Sequence, residues 1–360
     1  MDRAYKYQEN QNNRWIYSAK SDRSKFISIM YILSLAVLLE YLVFEAAPDF
    51  IYRFLVYDLG VFQSDFTYLF TPDEFNYIIY NIATILLTLI ASSVTVAFLL
   101  FCLRNLVSAQ GVVVRDKVTY RFKLPKAALP LLSVGLCIIQ VSIISSEFFN
   151  HLLNILFNIT RDTSFDFLYF PETVFGIVLY FITIVIMPAF IEEFIFRYIM
   201  LNALKKYGNV FAIITTSVLF GFLHARTSAF FYATAIGFFS AYIAIKTRSI
   251  WFSVILHALV NATSFTFQYF AFQSFPDETY NLIYYIFMAV ISVISLIYMI
   301  VIINKRKELK LSEPQNYTHI ENKRKLIYFF NIASIIFFIL VILKSAEEYG
   351  LANIAHNINM

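Results

Sequence analysis

The sequence predicts an all-α protein, a polytopic bundle of about nine transmembrane helices (eight to nine), with its N-terminus inside and its C-terminus outside. Three observations predict it. Of the 360 residues, 59% are hydrophobic and only 14% are charged, with a mean hydropathy of +0.67, whereas soluble domains carry about a quarter charged residues. Apolar runs of about 20 residues recur along the chain, and that length crosses a bilayer core roughly 30 Å thick. Lys and Arg, finally, are confined almost wholly to alternate loops, as the positive-inside rule requires.

Residues 1–25 are polar, carry Arg3, Lys6, Arg14, Lys20, Arg23 and Lys25, and read as a cytoplasmic tail. No cleavable signal peptide is expected, because the first apolar run is long enough to span and lacks a small-residue cleavage pattern. Punctuation by polar and turn residues then sets spans at 26–46, 77–103, 127–147, 174–204, 210–225, 229–245, 250–272, 281–303 and 326–343. The fifth and sixth are short and are parted only by "ARTSA" at 225–229. Residues 47–76 and 147–173 read as external, aromatic-rich segments, and 344–360 as an external tail. Inside loops hold 23 of the 28 basic residues, against Arg53, Arg161, Arg226 and Lys344 outside and Arg197 within a span.

The chain accordingly divides into an N-terminal set of spans and loops (26–173), a central segment (174–272) and a C-terminal pair of spans (273–343). Cys102 and Cys137 both lie in apolar runs, so no disulfide and no cysteine metal motif is expected. A net charge of +4 gives no nucleic-acid signature. The composition, rich in Ile, Phe, Tyr, Asn and Lys, fits an AT-rich bacterial genome and hence a bacterial cell membrane.

Chemistry concentrates in "PAFIEEFIFRYIM", residues 188–200. An ionisable side chain at bilayer depth costs about 2.5–3.5 kcal/mol, so it needs a reason. Glu193 and Arg197 are four residues apart, on one helical face, and can pair. Glu192 is rotated by about 100° and needs a partner elsewhere. Pro188, one turn earlier, predicts a loosened backbone.

Gly208 ends the helix in "KKYGN", and Gly221 permits a close helix–helix approach. Measured from that turn, Glu192 and His224 both fall roughly 21–22 Å along antiparallel helices. His257 and Asn261 share a face of the seventh span, roughly 12 and 18 Å from Ser249. Glu40 and Glu45 are expected to reach water at the outer end of the first span, and Ser253 and Ser264 to pack. A single membrane histidine also serves as a plain helix–helix hydrogen-bonding group. The combination of a spare carboxylate, two histidines and an asparagine on three helices is what points to a site.

"EEFIFR" (192–197), "FGFLH" (220–224) and "HALVN" (257–261) fit EExxxR, FxxxH and HxxxN in order. In this the chain resembles the CAAX protease and bacteriocin-processing enzymes, which include the type II CAAX prenyl endopeptidases. The resemblance implies an intramembrane endopeptidase acting on a peptide or membrane-protein substrate within the lipid bilayer, with 174–272 as its catalytic core. It implies that Glu192 activates water with His224, that Glu193 supports the site, that His257 and Asn261 stabilise the oxyanion, and that Arg197 is structural. Water-mediated hydrolysis needs such a base and such donors, and Glu192 and His224 are expected to titrate together. Two histidines and a carboxylate (Glu192, His224, His257) are also a zinc ligand set, so metal use stays open, with metal-independent catalysis preferred. A non-catalytic scaffold or bacteriocin self-immunity protein, and a proton-coupled transporter, are the competing functions.

Overall fold

The structure is a computed structural model. It describes residues 2–42, 72–108, 118–122, 170–224, 227–272 and 322–348, with isolated positions between 132 and 155, between 279 and 300, and at 311 and 320. All regular structure among the described residues is helical. The one strand-like feature among them is a single bridge between Thr119 and Ser249.

Eight helices matter for the argument: α1 (Asp2–Tyr41), α2 (Pro72–Ser108), α3 (Val174–Tyr207), α4 (Asn209–Leu223), α5 (Thr227–Thr247), α6 (Trp251–Phe272), α7 (Asn322–Phe329) and α8 (Ile332–Glu348). Four stretches are long and apolar enough to cross a membrane: Ser21–Tyr41, Tyr77–Arg104, Val174–Tyr207 and Ala229–Thr247. Asn209–Leu223 and Ile332–Leu343 are shorter apolar helices. The protein is therefore an integral membrane protein. Most of the predicted span at 127–147 and about half of that at 281–303 fall outside the described residues, as do His151, His319 and His356.

α1 begins at Asp2, so the polar tail continues the helix of the first span. Residues 2–41 contain no Gly or Pro, and extending an existing helix avoids the cost of nucleating a new one. α3 starts at Thr173, whose side chain accepts from the Gly176 N–H at 3.0 Å. The helix then departs twice from α geometry, into π-helical turns at Ile182–Ile186 and Phe194–Met200. Between them lies Met187–Glu193, with Pro188 in its first turn and Glu192 and Glu193 at its end. The loosened backbone expected at Pro188 is present, and its form is a wider turn on each side. Such turns shift the register of side chains around the helix axis, and they are frequent at functional sites.

α3 ends in a short 3-10 turn, Lys205–Tyr207, and Gly208 reverses the chain at φ +123°, a backbone conformation that glycine adopts without strain. Lys205 and Lys206 are buried at this end of the bundle. Lys206 Nζ donates to the Leu106 carbonyl in the last turn of α2 (3.5 Å), and Lys325 Nζ donates to the Tyr207 carbonyl (2.6 Å). Cations placed there answer the carbonyls left open at helix C-termini.

Residues 118–122 run extended beside this end. Asn202 holds both backbone groups of Val118 (3.0 and 2.9 Å), and Thr119 bonds the backbone of Arg248 and Ile250 (3.0 Å each). The Trp251 indole N–H donates to the Tyr120 carbonyl at 2.6 Å.

α4 and α5 pack along each other at backbone contact. A Cβ on Gly237 would sit 2.9 Å from Ser217 Cα, and one on Gly221 would run into Thr234 Oγ1 and come within 3.0 Å of the Phe230 carbonyl. Gly221 thus permits the close approach its position predicted. Small residues at such crossings let membrane helices gain dispersion contacts that lipid does not supply. Replacing Gly221 with Leu should separate the two helices and cost about 1–3 kcal/mol or more of stability, read as a lowered thermal unfolding temperature of the purified protein. A surface change such as Val210→Leu should leave that temperature in place.

Candidate active site

Glu193 is fully buried and draws three elements together. On its own helix, Arg197 Nη2 donates to Oε1 at 3.3 Å, and Arg197 Nε lies 3.0 Å from Oε2 with its N–H turned away from a hydrogen-bonding line. From α6, His257 Nδ1 approaches Oε1 at 3.2 Å. A carboxylate only accepts, so His257 carries a proton on Nδ1 and turns Nε2 away from Glu193. The pair expected from the four-residue spacing is present, and a histidine 64 residues away completes it.

Arg197 is also fully buried, and its remaining donors Nε and Nη1 make no hydrogen bond among the described residues. Aromatic rings stand in their place. The guanidinium lies 5.0 Å from the Phe220 ring centroid and 5.7 Å from that of Phe196. Cation–π contacts of this kind are worth about 2 kcal/mol when desolvated. Phe220 also meets His257 edge-on at 5.7 Å and His224 at 5.1 Å. One ring of α4 therefore touches the arginine and both histidines. Its place in FxxxH was legible, but the spacing alone gave it no task.

His224 caps the end of α4 and directs Nδ1 at the Phe220 carbonyl four residues back, at 3.1 Å. A carbonyl cannot donate, so the proton sits on Nδ1, and Nε2 keeps its lone pair. Glu192 is 4% exposed, and its Oε2 is buried without a hydrogen-bond partner among the described residues. No hydrogen bond joins Glu192 to His224. Equal residue counts from the turn at Gly208 set the positions of Glu192 and His224 along their helices but not the rotation about either axis.

Asn261, one turn beyond His257, donates through Nδ2 to the Ile184 carbonyl at 3.0 Å. That oxygen lies four residues before Pro188, which has no N–H to return to it. The amide of α6 thus fills a place that the proline of α3 leaves open, and one further Nδ2 proton stays available. Ser253 is a buried packing residue, as expected, donating to the Ser240 carbonyl at 2.8 Å.

Glu40 corrects an expectation. It does not reach water: it is 1% exposed, and Ser92 of α2 donates to its Oε1 at 2.8 Å. Position near the end of an apolar run suggested solvent, but α2 packs over it. Glu45 lies outside the described residues. Among the described residues no three His, Cys, Asp or Glu side chains converge as a metal-holding group.

Residues 174–263 match the family model of Rce1-like type II CAAX prenyl endopeptidases. Over 72 residues the chain is 38% identical to "Putative membrane peptidase YdiL" of Bacillus subtilis (strain 168), an alignment spanning 20% of this chain and 30% of that relative. No solved structure gives a significant match. The matched core holds all three motifs, and it is of the CAAX protease and bacteriocin-processing type that those motifs resemble.

The buried cluster makes a stability prediction. Arg197→Met should leave Glu193 without its main counter-charge and destabilise the purified protein by about 3–5 kcal/mol. The double variant Glu193→Gln/Arg197→Met should recover most of that loss in thermal unfolding. A double variant no more stable than the single one would show that the pair is not a unit.

Proposed function

We propose that the chain is an intramembrane endopeptidase of a bacterial cell membrane, cleaving a peptide or a membrane protein with a water molecule activated by Glu192 and His224. The observation that carries this reading is the contrast between the adjacent carboxylates. Glu193 is ion-paired with Arg197 and bonded by His257, whereas Glu192, equally secluded, makes no ion pair among the described residues and its buried Oε2 has no hydrogen-bond partner. A buried acceptor without a donor is costly, and a site that takes in water and a peptide supplies the donor.

In the proposed reaction Glu192 accepts a proton from water as the oxygen attacks the peptide carbonyl, and returns it to the leaving amine. His224 Nε2, with its lone pair free, holds the same water. Glu193 orients His257 through Nδ1, as a carboxylate orients the imidazole in other hydrolases. His257 and the second amide proton of Asn261 face the oxygen on which charge develops. Arg197 holds Glu193 in place through the ion pair. The family match and the named relative support a membrane peptidase, and the short aligned stretch makes substrate and mechanism part of the proposal.

Removing a general base lowers a rate by about 10²- to 10⁴-fold. Glu192→Ala should therefore insert and accumulate as wild type while losing substrate cleavage by a factor in that range. The check is comparative membrane proteomics of wild-type and Glu192→Ala cells, in which specific released peptides should disappear. Peptide release at the wild-type level, from an equally abundant variant, would remove the catalytic role of Glu192.

A further inference from the structure

Residues 118–122, Val-Thr-Tyr-Arg-Phe, precede the matched core by some 50 positions. Among the described residues, the groups that hydrogen-bond them from elsewhere in the chain all belong to that core, and they address the main chain. The Asn202 amide takes both backbone groups of Val118. The Arg248 carbonyl and the Ile250 N–H take those of Thr119, and the Trp251 indole takes the Tyr120 carbonyl. Of the five side chains, that of Val118 is buried, while Tyr120 and Phe122 are 64% and 60% exposed. A brace held by packing would bury more of them. Main-chain bonds carry no sequence information, so the same groups suit any extended peptide.

The receiving turn is shaped in advance. Among the described residues Arg248 is the one non-glycine residue with positive φ, at +57°, a conformation that L-residues rarely adopt and that persists where the surroundings enforce it. Its carbonyl accepts from Thr119 twice, through N–H and Oγ1, at 3.0 Å each. Thr247 Oγ1 donates to the Ser249 carbonyl (3.2 Å), and Ser249 Oγ accepts from the Trp251 N–H (3.3 Å). The turn also adjoins the candidate chemistry. Trp251 lies six residues before His257 on α6, and its ring meets that of Phe190 at 6.0 Å, two residues before Glu192 on α3. Tyr120 meets Tyr198 of α3 at 6.3 Å. Whatever lies along this rim touches both helices that carry Glu192 and His257.

We propose that the rim between Asn202 and Trp251 is a binding site for an extended peptide, and that residues 118–122 are its resident occupant, displaced when a substrate segment takes their place. No covalent bond changes in the exchange; the newcomer accepts and donates the same main-chain hydrogen bonds. That the newcomer is a substrate rests on the hydrolase reading. That the rim binds a peptide main chain does not.

The test uses the full-length protein in lipid nanodiscs and, as probe, a fluorescent peptide of the segment's own sequence, Val-Thr-Tyr-Arg-Phe, capped at both ends. In Thr119→Pro the occupant loses the N–H that bonds Arg248. The peptide should bind that variant about ten-fold more tightly than wild type in fluorescence anisotropy, the worth of about one hydrogen bond. Adding Asn202→Ala should remove the gain. No gain, or a gain that survives Asn202→Ala, would overturn the proposal. Thr119→Cys/Ser249→Cys, in a background without Cys102 and Cys137, provides a second reading by pinning the segment across the bridge with a disulfide. Oxidation should abolish binding of the same peptide and, in membranes, release of the peptides that disappear in Glu192→Ala; reduction should restore both. Binding indifferent to oxidation would overturn the site, and peptide release indifferent to it would overturn displacement by substrate. If Glu192→Ala abolishes no release, the hydrolase reading falls and the binding result still decides the site.

Discussion

Burying Glu193 is the constraint on which the rest of the centre depends. A charge at that depth is tolerated only if its counter-charge and hydrogen bonds are supplied from within the protein. Arg197 supplies the counter-charge from the next turn of the same helix, and His257 supplies a donor from another. Arg197 in turn needs a setting that accepts a guanidinium with idle donors, and the rings of Phe196 and Phe220 provide it. Phe220 reaches in because α4 is fixed against α5 at backbone contact. The order of dependence therefore runs from one carboxylate outward to four helices.

Backbone irregularity serves the same end. In an unbroken α-helix, Glu192 and Glu193 would point about 100° apart, with their surroundings set by that angle alone. Wider turns before and after Met187–Glu193 move the flanking side chains around the axis. The proline that opens this segment leaves the Ile184 carbonyl without its usual donor, and Asn261 takes that role. One motif residue thus braces the helix that carries another. Loss of activity on changing Asn261 would therefore report on the geometry of α3 as much as on an oxyanion.

Much of this was legible in the sequence, and the reasons for the rest are physical. Spacing of four along a helix located the Glu193–Arg197 pair, and Gly208 and Gly221 marked the turn and the tight crossing. Position along each helix followed from counting residues at a fixed rise. Azimuth did not, because packing against other helices sets rotation about each axis. For that reason His257 was not matched to Glu193, and the placing of His224 near Glu192 rested on position along the helices alone. Glu40 was misjudged because a residue near the end of an apolar run is shielded or exposed according to its neighbours, here Ser92 from 52 positions away. The clasp on residues 118–122 joins positions about 130 apart through main-chain bonds, which no side-chain pattern records.

That clasp has a mechanical corollary. Asn202 grips this segment from α3, while Arg248 and Ile250 in the turn between α5 and α6, and Trp251 at the start of α6, grip it from the other side. A short piece of chain thus buttons two walls of the bundle together at one rim. Moving those walls apart would stretch these hydrogen bonds, so the segment acts as a tie that resists widening of the bundle at that rim.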